Sequence, residues 1–484
     1  MQREQQLPGG ALSVSGAALV AAGGAQAWSA LALLGDEAVD TLFDYELLLR
    51  RHGATPTALP GDMLGRGLDV RIELGVPGGA ARPPRLIHGE VSQVLRVRDD
   101  ERGSVYALRL RPWAWRATLR GGCRVWRGLS VPQVLEQLLR PPAGSLVARL
   151  RGRHAPRDYL VQFNESDWDC FARLAAEWGM HFWFEHRQGG HDLVLADDNA
   201  AWREQPASGW SSIGMAVPGE RDEHECLRSL RHGHALCSMG WSGRDDDYTL
   251  REGLSSFEAA DLGETCVAPG TPASRTRFHW RGSGGVAVAQ PRQATGGAAL
   301  STAAVGRADA DERAAAEQAL AQARLQALRQ TVGRAHGHGP LRGLATGHRV
   351  RLRSHRLAAL STDWLVVGTR LELRESAAAC AAWFAASPAA CIGAAQDVRH
   401  PAEPPPDQPV EPAWGDAGRA WRLARAPGAP GVEQGAWRLR TEVVLQRASQ
   451  PMRAQRSLPK PRVWGLQAAV VAEAEPGAAL PGSV

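Results

Sequence analysis

Long apolar runs are absent from this 484-residue chain, which leaves no candidate for a membrane-spanning helix. Paired cysteines are absent too. The seven cysteines, at 123, 170, 226, 237, 266, 380 and 391, are scattered and odd in number, with no C-x-x-C. That usage suits a reducing cytoplasm better than a disulfide framework. There is no G-x-S-x-G and no H-E-x-x-H; Glu225 follows His224, but Arg228 stands where the second histidine would be. Gly282-Ser283-Gly284-Gly285 lacks the Lys and Ser/Thr that complete a phosphate loop. Lysines are few, and the excess of Arg, Ala, Gly and Pro reads as the codon bias of a GC-rich genome. The net charge is only +5, and arginines alternate with acids, as in Arg96-Val97-Arg98-Asp99-Asp100-Glu101-Arg102. A nucleic-acid binder carries a concentrated basic face. The short cluster Arg349 to Arg356 reads instead as a solvated strand face. A convincing signal peptide is also missing. Ala25-Gln26-Ala27 resembles a cleavage site, but Arg3 is balanced by Glu4, and Ser13, Ser15 and Gly16 break the apolar run.

What remains is globular material. Hydrophobic residues make up 44% and charged residues 22%, enough to build cores, and the length predicts two to four domains. The most informative stretch is residues 157–186, RDYLVQFNESDWDCFARLAAEWGMHFWFEH. Tyr159 to Phe163 alternates with the two-residue period of a strand. Asn164-Glu165-Ser166-Asp167 is a polar stop, rich in residues that bond the free N–H groups of a first helical turn. Trp168, Phe171, Ala175 and Trp178 recur on one helical face. Gly179 sits where a helix ends in a left-handed residue. Met180 to Glu185 is a second, aromatic strand.

This stretch resembles the QY-x-ES-D-x-D-F-x-x-RL-x-E-x-x-G-I-x-Y-x-F-x-H segment of VgrG proteins, the trimeric spike proteins of type VI secretion systems. Gln162, Glu165, Ser166, Asp167, Asp169, Arg173, Leu174, Glu177, Gly179, Phe184 and His186 fit in register. Upstream, Leu34 to Glu46 resembles the family's G-x-E-x-L-S-x-L-F-x-Y-x-L opening. His88-Gly89-Glu90-Val91 is similar to its h-G-x-V strand. Leu110-Arg111-Pro112-Trp113-Ala114-Trp115 and Cys123-Arg124-Val125-Trp126 are similar to its P-W-x-W-L and C-R-I-F pair. Asp247-Tyr248, Leu344 to His348 and Trp364 to Val367 give weaker matches. Lys460 to Val471 resembles the string that opens the family's OB-fold, and the needle expected after it is not in this sequence.

The expected organisation follows. Residues 1–28 read as a flexible N-terminal segment and 29–126 as a first barrel-like domain, with strands near Leu47–Leu49, Leu68–Leu74, Leu86–Val97 and Tyr106–Leu110. Residues 127–215 form a mixed α/β insert, with a helix over Val131–Leu139 and a strand over His191–Asp197. Residues 216–396 form a second barrel-like domain with a long helix over Ala308–Gln330, whose few large apolar residues predict a narrow packing stripe. Residues 397–458 read as a Pro/Gly-rich linker or loop-rich connection and 459–484 as a truncated OB-fold start. The fold class is therefore α+β, mainly antiparallel β.

Candidate sites are few. His224, Cys226, His232, His234 and Cys237 are zinc-type ligands, but their spacing fits no structural zinc pattern, and a hairpin with inward cysteines explains them. Glu165, Asp167 and Asp169 are two apart and point to different helix faces, so they read as helix-start charges. Asp197 and Asp198 read as turn residues. His336-Gly337-His338 reads as a flexible loop. The 17 tryptophans stand beside only 8 phenylalanines and 4 tyrosines. Trp113, Trp115, Trp126 and Trp183 serve either an interface or the cores of small barrels. No catalytic residue, metal site or cofactor is expected. The resemblance implies a homotrimeric hub, similar to the baseplate hub of contractile phage tails. It implies seating on a tube of Hcp hexamers, contacts to baseplate proteins, and a spike onto which an effector or adaptor loads. A phage tail hub is the nearest rival; an effector enzyme or a secreted carbohydrate binder is further off.

Overall fold

One large, mostly antiparallel sheet organises the chain. The computed structural model describes residues 12–53, 61–74, 83–100, 103–140, 142, 145–157, 160–206, 210–216, 226–233, 240–246, 254–260, 276–280, 307–330, 333–353, 360–375, 432–434, 437–455, 458 and 461. In the first part, strand β1 (Leu12–Ser15) and helix α1 (Ala17–Ala21) precede β2 (Trp28–Ala38), β3 (Asp44–Arg51), β4 (Gly67–Ile72), β5 (Arg85–Asp100) and β6 (Gly103–Arg111). Their spatial order is β1-β4-β5-β6-β3-β2. The pleat dictates which residues are inside. On β3, Tyr45, Leu47 and Leu49 are buried in the main core, while Asp44 and Glu46 take the opposite face. The segment expected to be a flexible N-terminus is built into the fold from Leu12 on. Leu12, Leu19 and Trp28 are all buried, and β1 pairs with β4 over Leu12↔Ile72 to Ser15↔Asp69.

The mixed unit follows: β7 (Gly121–Trp126), α2 (Val131–Leu139), β8 (Leu146–Arg149), β9 (Leu160–Ser166), α3 (Asp167–Glu177), β10 (His181–Arg187) and β11 (Gly190–Ala196). Helix α2 starts at a Ser130/Gln133 capping box and buries Val131, Val134, Leu135, Leu138 and Leu139. Helix α3 is capped by Ser166, whose Oγ accepts from the Asp169 N–H at 3.0 Å. Gly179, at φ 69, takes the left-handed turn after it. The polar stop is shorter than expected. Strand β9 runs through Ser166 and the helix begins one residue later, because Asn164 at φ 48 absorbs the bend inside the strand.

The rest of the chain supplies β12 (Arg203–Glu204), β13 (Ser212–Gly214), β14 (Ser229–His232), β15 (Gly240–Asp246), β16 (Leu254–Ala260), β17 (Thr276–Trp280) and α4 (Arg307–Arg329). After α4 come β18 (Ala335–Gly339), β19 (His348–Arg353), β20 (Asp363–Glu375), β21 (Val432–Gln434) and β22 (Trp437–Arg447). Strand β20 pairs antiparallel with β2, from Ala38↔Gly368 to Ala32↔Arg374. The sheet then continues β20-β22-β18-β14. The two strand-rich parts therefore share one hydrogen-bonded sheet. Where its side chains are described, helix α4 buries Leu320, Ala321 and Leu325 in a small cluster with Trp241, and Arg324 and Arg329 are buried on it as well.

Two further readings need correction. The stretch read as a linker to residue 458 contains β22, which lies between β20 and β18. Its Leu439, Val443 and Leu445 are buried at every second position around Thr441, a strand signal outweighed by the Pro/Gly-rich residues before it. His336-Gly337-His338 is not a loop but the middle of β18. Its glycine admits Leu227, whose Cδ2 would lie 2.8 Å from an added Cβ. Asp247-Tyr248, most of residues 397–434 and nearly all of 459–484 lie outside the described residues.

Candidate functional site: a buried junction between sheet and insert

Strand β2 turns Leu33, Gly35 and Glu37 to the same buried face. A carboxylate in a core must be paired to stay there. Glu37 is paired twice: its Oε1 meets His186 Nε2 at 2.5 Å and its Oε2 meets Arg85 Nη2 at 3.3 Å. Burial alone would raise the Glu37 pKa, but His186 and Arg85 together hold it at about 2. Arg85 also donates to Tyr45 Oη at 3.4 Å.

The histidine belongs to the β10–β11 hairpin, where His186 and His191 stand opposite one another. His186 Nδ1 lies 3.1 Å from both the N and the O of His88 on β5. His191 Nδ1 lies 2.9 Å from His88 Nδ1, and its Nε2 accepts from the Trp113 N–H at 3.1 Å. Burial, then the charges of His186 and His88, push His191 well below its ordinary pKa. The ring of Phe43 sits among these groups, with centroids 5.1 Å from Phe184, 4.9 Å from His186 and 5.2 Å from His191. One turn away, Asp40 (φ 63) exchanges two hydrogen bonds with Phe182: its N–H donates to the carbonyl at 2.9 Å and its Oδ1 accepts at 3.0 Å.

The far side of the hairpin is held as firmly. Trp183 lies over Gly347, where an added Cβ would stand 2.1 Å from the indole and where φ is +80. Arg149 forms a two-point pair with Glu185, both contacts 2.6 Å. An open cleft of about 450 Å³ borders the junction, lined by Gly67, Asp69, His88, Trp113, Arg187 and His191 among others.

A second polar knot begins the insert's helix. Asp167 is fully buried and accepts from Gln162 at 3.0 Å, Arg120 at 3.2 Å and Arg124 at 3.2 Å. Glu165 binds Arg173 at 2.6 Å, and Arg173 reaches Glu177 at 3.7 Å. Asp169 faces Ser166. The three acids thus point to three different partners. Asp197, read as a turn residue, is a loop organiser, accepting from Arg151 N, Gly152 N and His154 Nε2.

The remaining candidates do not converge. His232 packs edge-on against Trp364, its ring centroid 5.8 Å away. His338 Nδ1 meets Ser229 Oγ at 2.6 Å. His224, His234 and Cys237 lie outside the described residues. Among the described residues, no three His, Cys, Asp or Glu side chains are grouped to hold a metal ion. Cys170 is buried and its thiol is pushed far up by burial. Trp113, Trp126 and Trp183 are core residues, and Trp115 is half-buried under Arg111. No helix among the described residues is long and apolar enough to cross a membrane.

The junction collects residues from separate motifs: Glu37, Phe43 and Tyr45, then His88, Trp113 and His186. Glu37, Arg85 and His191 escaped notice as site residues when the sequence was read alone. The phase of β2 carried the signal, since Glu37 falls on the Leu33 face.

Comparison with known proteins points one way. The profile of the family described as "Phage tail baseplate hub (GPD)" matches residues 36–377. The type VI secretion system spike protein VgrG1a of Pseudomonas aeruginosa is 32% identical over 185 residues, 38% of this chain and 27% of that protein. VgrG1b of the same organism is 25% identical over 337 residues, 69% of this chain and 40% of that protein. The chain thus spans well under half the length of these relatives. Among solved structures, a tail protein from Neisseria meningitidis is similar with a TM-score of 0.48 and 11% identity, covering 92% of this chain and 98% of that one. A type VI secretion component of E. coli is similar with a TM-score of 0.46 and 14% identity, covering 71% of this chain and 70% of that one.

Proposed function

Since the chain belongs to the phage tail baseplate hub family, we propose that it works as a non-catalytic hub part of a type VI secretion spike. The observation that carries this reading is the extent of the family match. It runs from β2 through the mixed unit to the end of β20, so it takes in both parts of the shared sheet. The curated relatives that name a system name the type VI spike. The polar groups at the junction are spent on one another, which supports a part whose chemistry serves shape.

On this reading three copies close a ring with large cyclic interfaces. The ring seats on the end of an Hcp tube among baseplate proteins, and an effector or adaptor is carried on the spike. The protein would be assembled in the cytoplasm and thrust outward with the tube. Light scattering on a sizing column at micromolar concentration, followed by co-sedimentation with Hcp tubes, tests it. A trimer that sediments with the tubes is expected. A well-folded monomer that ignores Hcp overturns it. The family's description favours one second reading, a phage or phage-like tail hub; sheath and tube genes beside this one, without the other secretion genes, would select it.

A further inference from the structure

Two of the junction histidines, His88 and His191, have a proton count that geometry decides. The Trp113 backbone N–H can only donate, so His191 Nε2, 3.1 Å away, carries no proton. The neutral ring then holds its proton on Nδ1, which points at His88 Nδ1 from 2.9 Å. His88 Nδ1 is therefore the acceptor, and its own proton sits on Nε2, beside Gly67 in the cleft. The pair shares one proton between the two Nδ1 atoms. A second proton has no acceptor: on His88 Nδ1 it faces His191 N–H, and on His191 Nε2 it faces Trp113 N–H.

We propose that the His88–His191 contact is an acid-released latch that holds the β10–β11 hairpin on the sheet. Charging either ring breaks one of the two hydrogen bonds and frees the hairpin tip, Arg187 to Gly190. The groups around the pair set the balance. From β4, Asp69 favours the charged form while also accepting from Gly189 N at 2.9 Å. On β10, His186 and Arg187 oppose it, and Arg187 is drawn off by Asp192 of β11 at 3.2 Å. Glu90 of β5 lines the same cleft but is bound to Arg116 at 2.7 Å, and Glu37 of β2 is held between His186 and Arg85. Among the described residues, no carboxylate bonds either ring of the pair. The cleft brings water to His88, so the latch is reachable without unfolding.

Burial pulls His88 down in pKa, as it does His191. A histidine with a depressed folded pKa contributes stability that is complete above its unfolded pKa near 6.5 and is lost as pH falls below that. Hydrogen exchange on the full chain at pH 7.5 and at pH 5, corrected for the intrinsic rate, reads the opening. The expected result is an about tenfold or greater loss of protection at residues 186–192 and at the Trp113 amide, while α2 keeps its protection. Exchange of the histidine C2 hydrogens on the unaltered protein gives the two midpoints directly, both expected below 6.5. Ordinary midpoints near 6.5, or unchanged protection at pH 5, would overturn the latch. So would a His88→Gln variant that opens at the same pH. If that variant does not fold, the C2 exchange of the unaltered chain decides alone.

Discussion

Glu37 shows how much one side chain can be asked to do. It is a buried anion held by His186, Arg85 and Tyr45, so neutralising it leaves the buried Arg85 without its carboxylate. Breaking a buried pair in this way costs about 3 kcal/mol. Glu37→Gln should therefore lower stability by that order in a denaturant melt at pH 7; a loss below about 1 kcal/mol would mean that water reaches the pair. Asp40 is the opposite case. Burial outweighs its bond from Phe182 and the pull of Arg334, and raises its carboxyl to about 7. A raised acid favours folding at low pH and costs stability as pH climbs from its unfolded value near 4 through 7. Asn keeps the accepted hydrogen bond and tolerates φ 63. Asp40→Asn should thus gain more at pH 8 than at pH 4, by on the order of 1 kcal/mol or more, read from paired melts; a gain of the same size at both pH values would dissociate the effect from ionisation. Asp197, a plain turn residue in the sequence, emerges as the acceptor of three donors for the same reason Glu37 was missed. A one-dimensional pattern shows which face a residue takes but not which residue waits on it.

At the level of elements, the sequence was most legible where a local rule stands alone. Helix α2 falls on the predicted residues, Val131 to Leu139, and α3 and its capping serine follow from the polar run before them. Ser166→Ala should cost about 1 kcal/mol by removing the bond to the Asp169 N–H. Asp167→Ala should cost several times more, on the order of 3 kcal/mol, because Arg120 and Arg124 lose their buried partner. Equal losses in the two variants would contradict the burial of Asp167. The cysteines give a test without mutation. Cys123 is exposed on β7, whereas Cys170 is buried in α3 with its thiol shifted upward. An alkylating reagent at pH 8, read by peptide mass, should modify Cys123 within minutes and Cys170 only on unfolding. Besides β1, the elements misread were two interior strands, β18 and β22. Both lie inside the sheet, where glycine or threonine can hold a ladder position that propensity alone would deny.

For the whole molecule, the decisive contact is between parts far apart in the chain. The family match ends at residue 377, yet the sheet does not. Strand β22 pairs with β20 over Trp364↔Arg447 to Glu375↔Trp437 and with β18 on its other side. A chain cut at residue 380 would leave both neighbours with bare edges and open the core around Val443 and Leu445. It should aggregate or stay molten, whereas a chain ending at 461 should be soluble and melt cooperatively. A cooperative melt of the shorter chain would show that the last strand is an accessory.

Local chemistry was enough to determine four strands of the first part, β3 to β6, both helices of the insert, and the identity of the motifs. Those depend on periods of two or 3.6 residues and on caps that act within a turn. Only the tertiary structure decided that β2 and β20 share one sheet, that motifs from Leu34 to His186 meet around Phe43, and that a buried glutamate and three histidines join the insert to it. Such contacts depend on pairings across tens to hundreds of residues, where the free energy lies in the desolvated partner and not in the residue that the sequence displays.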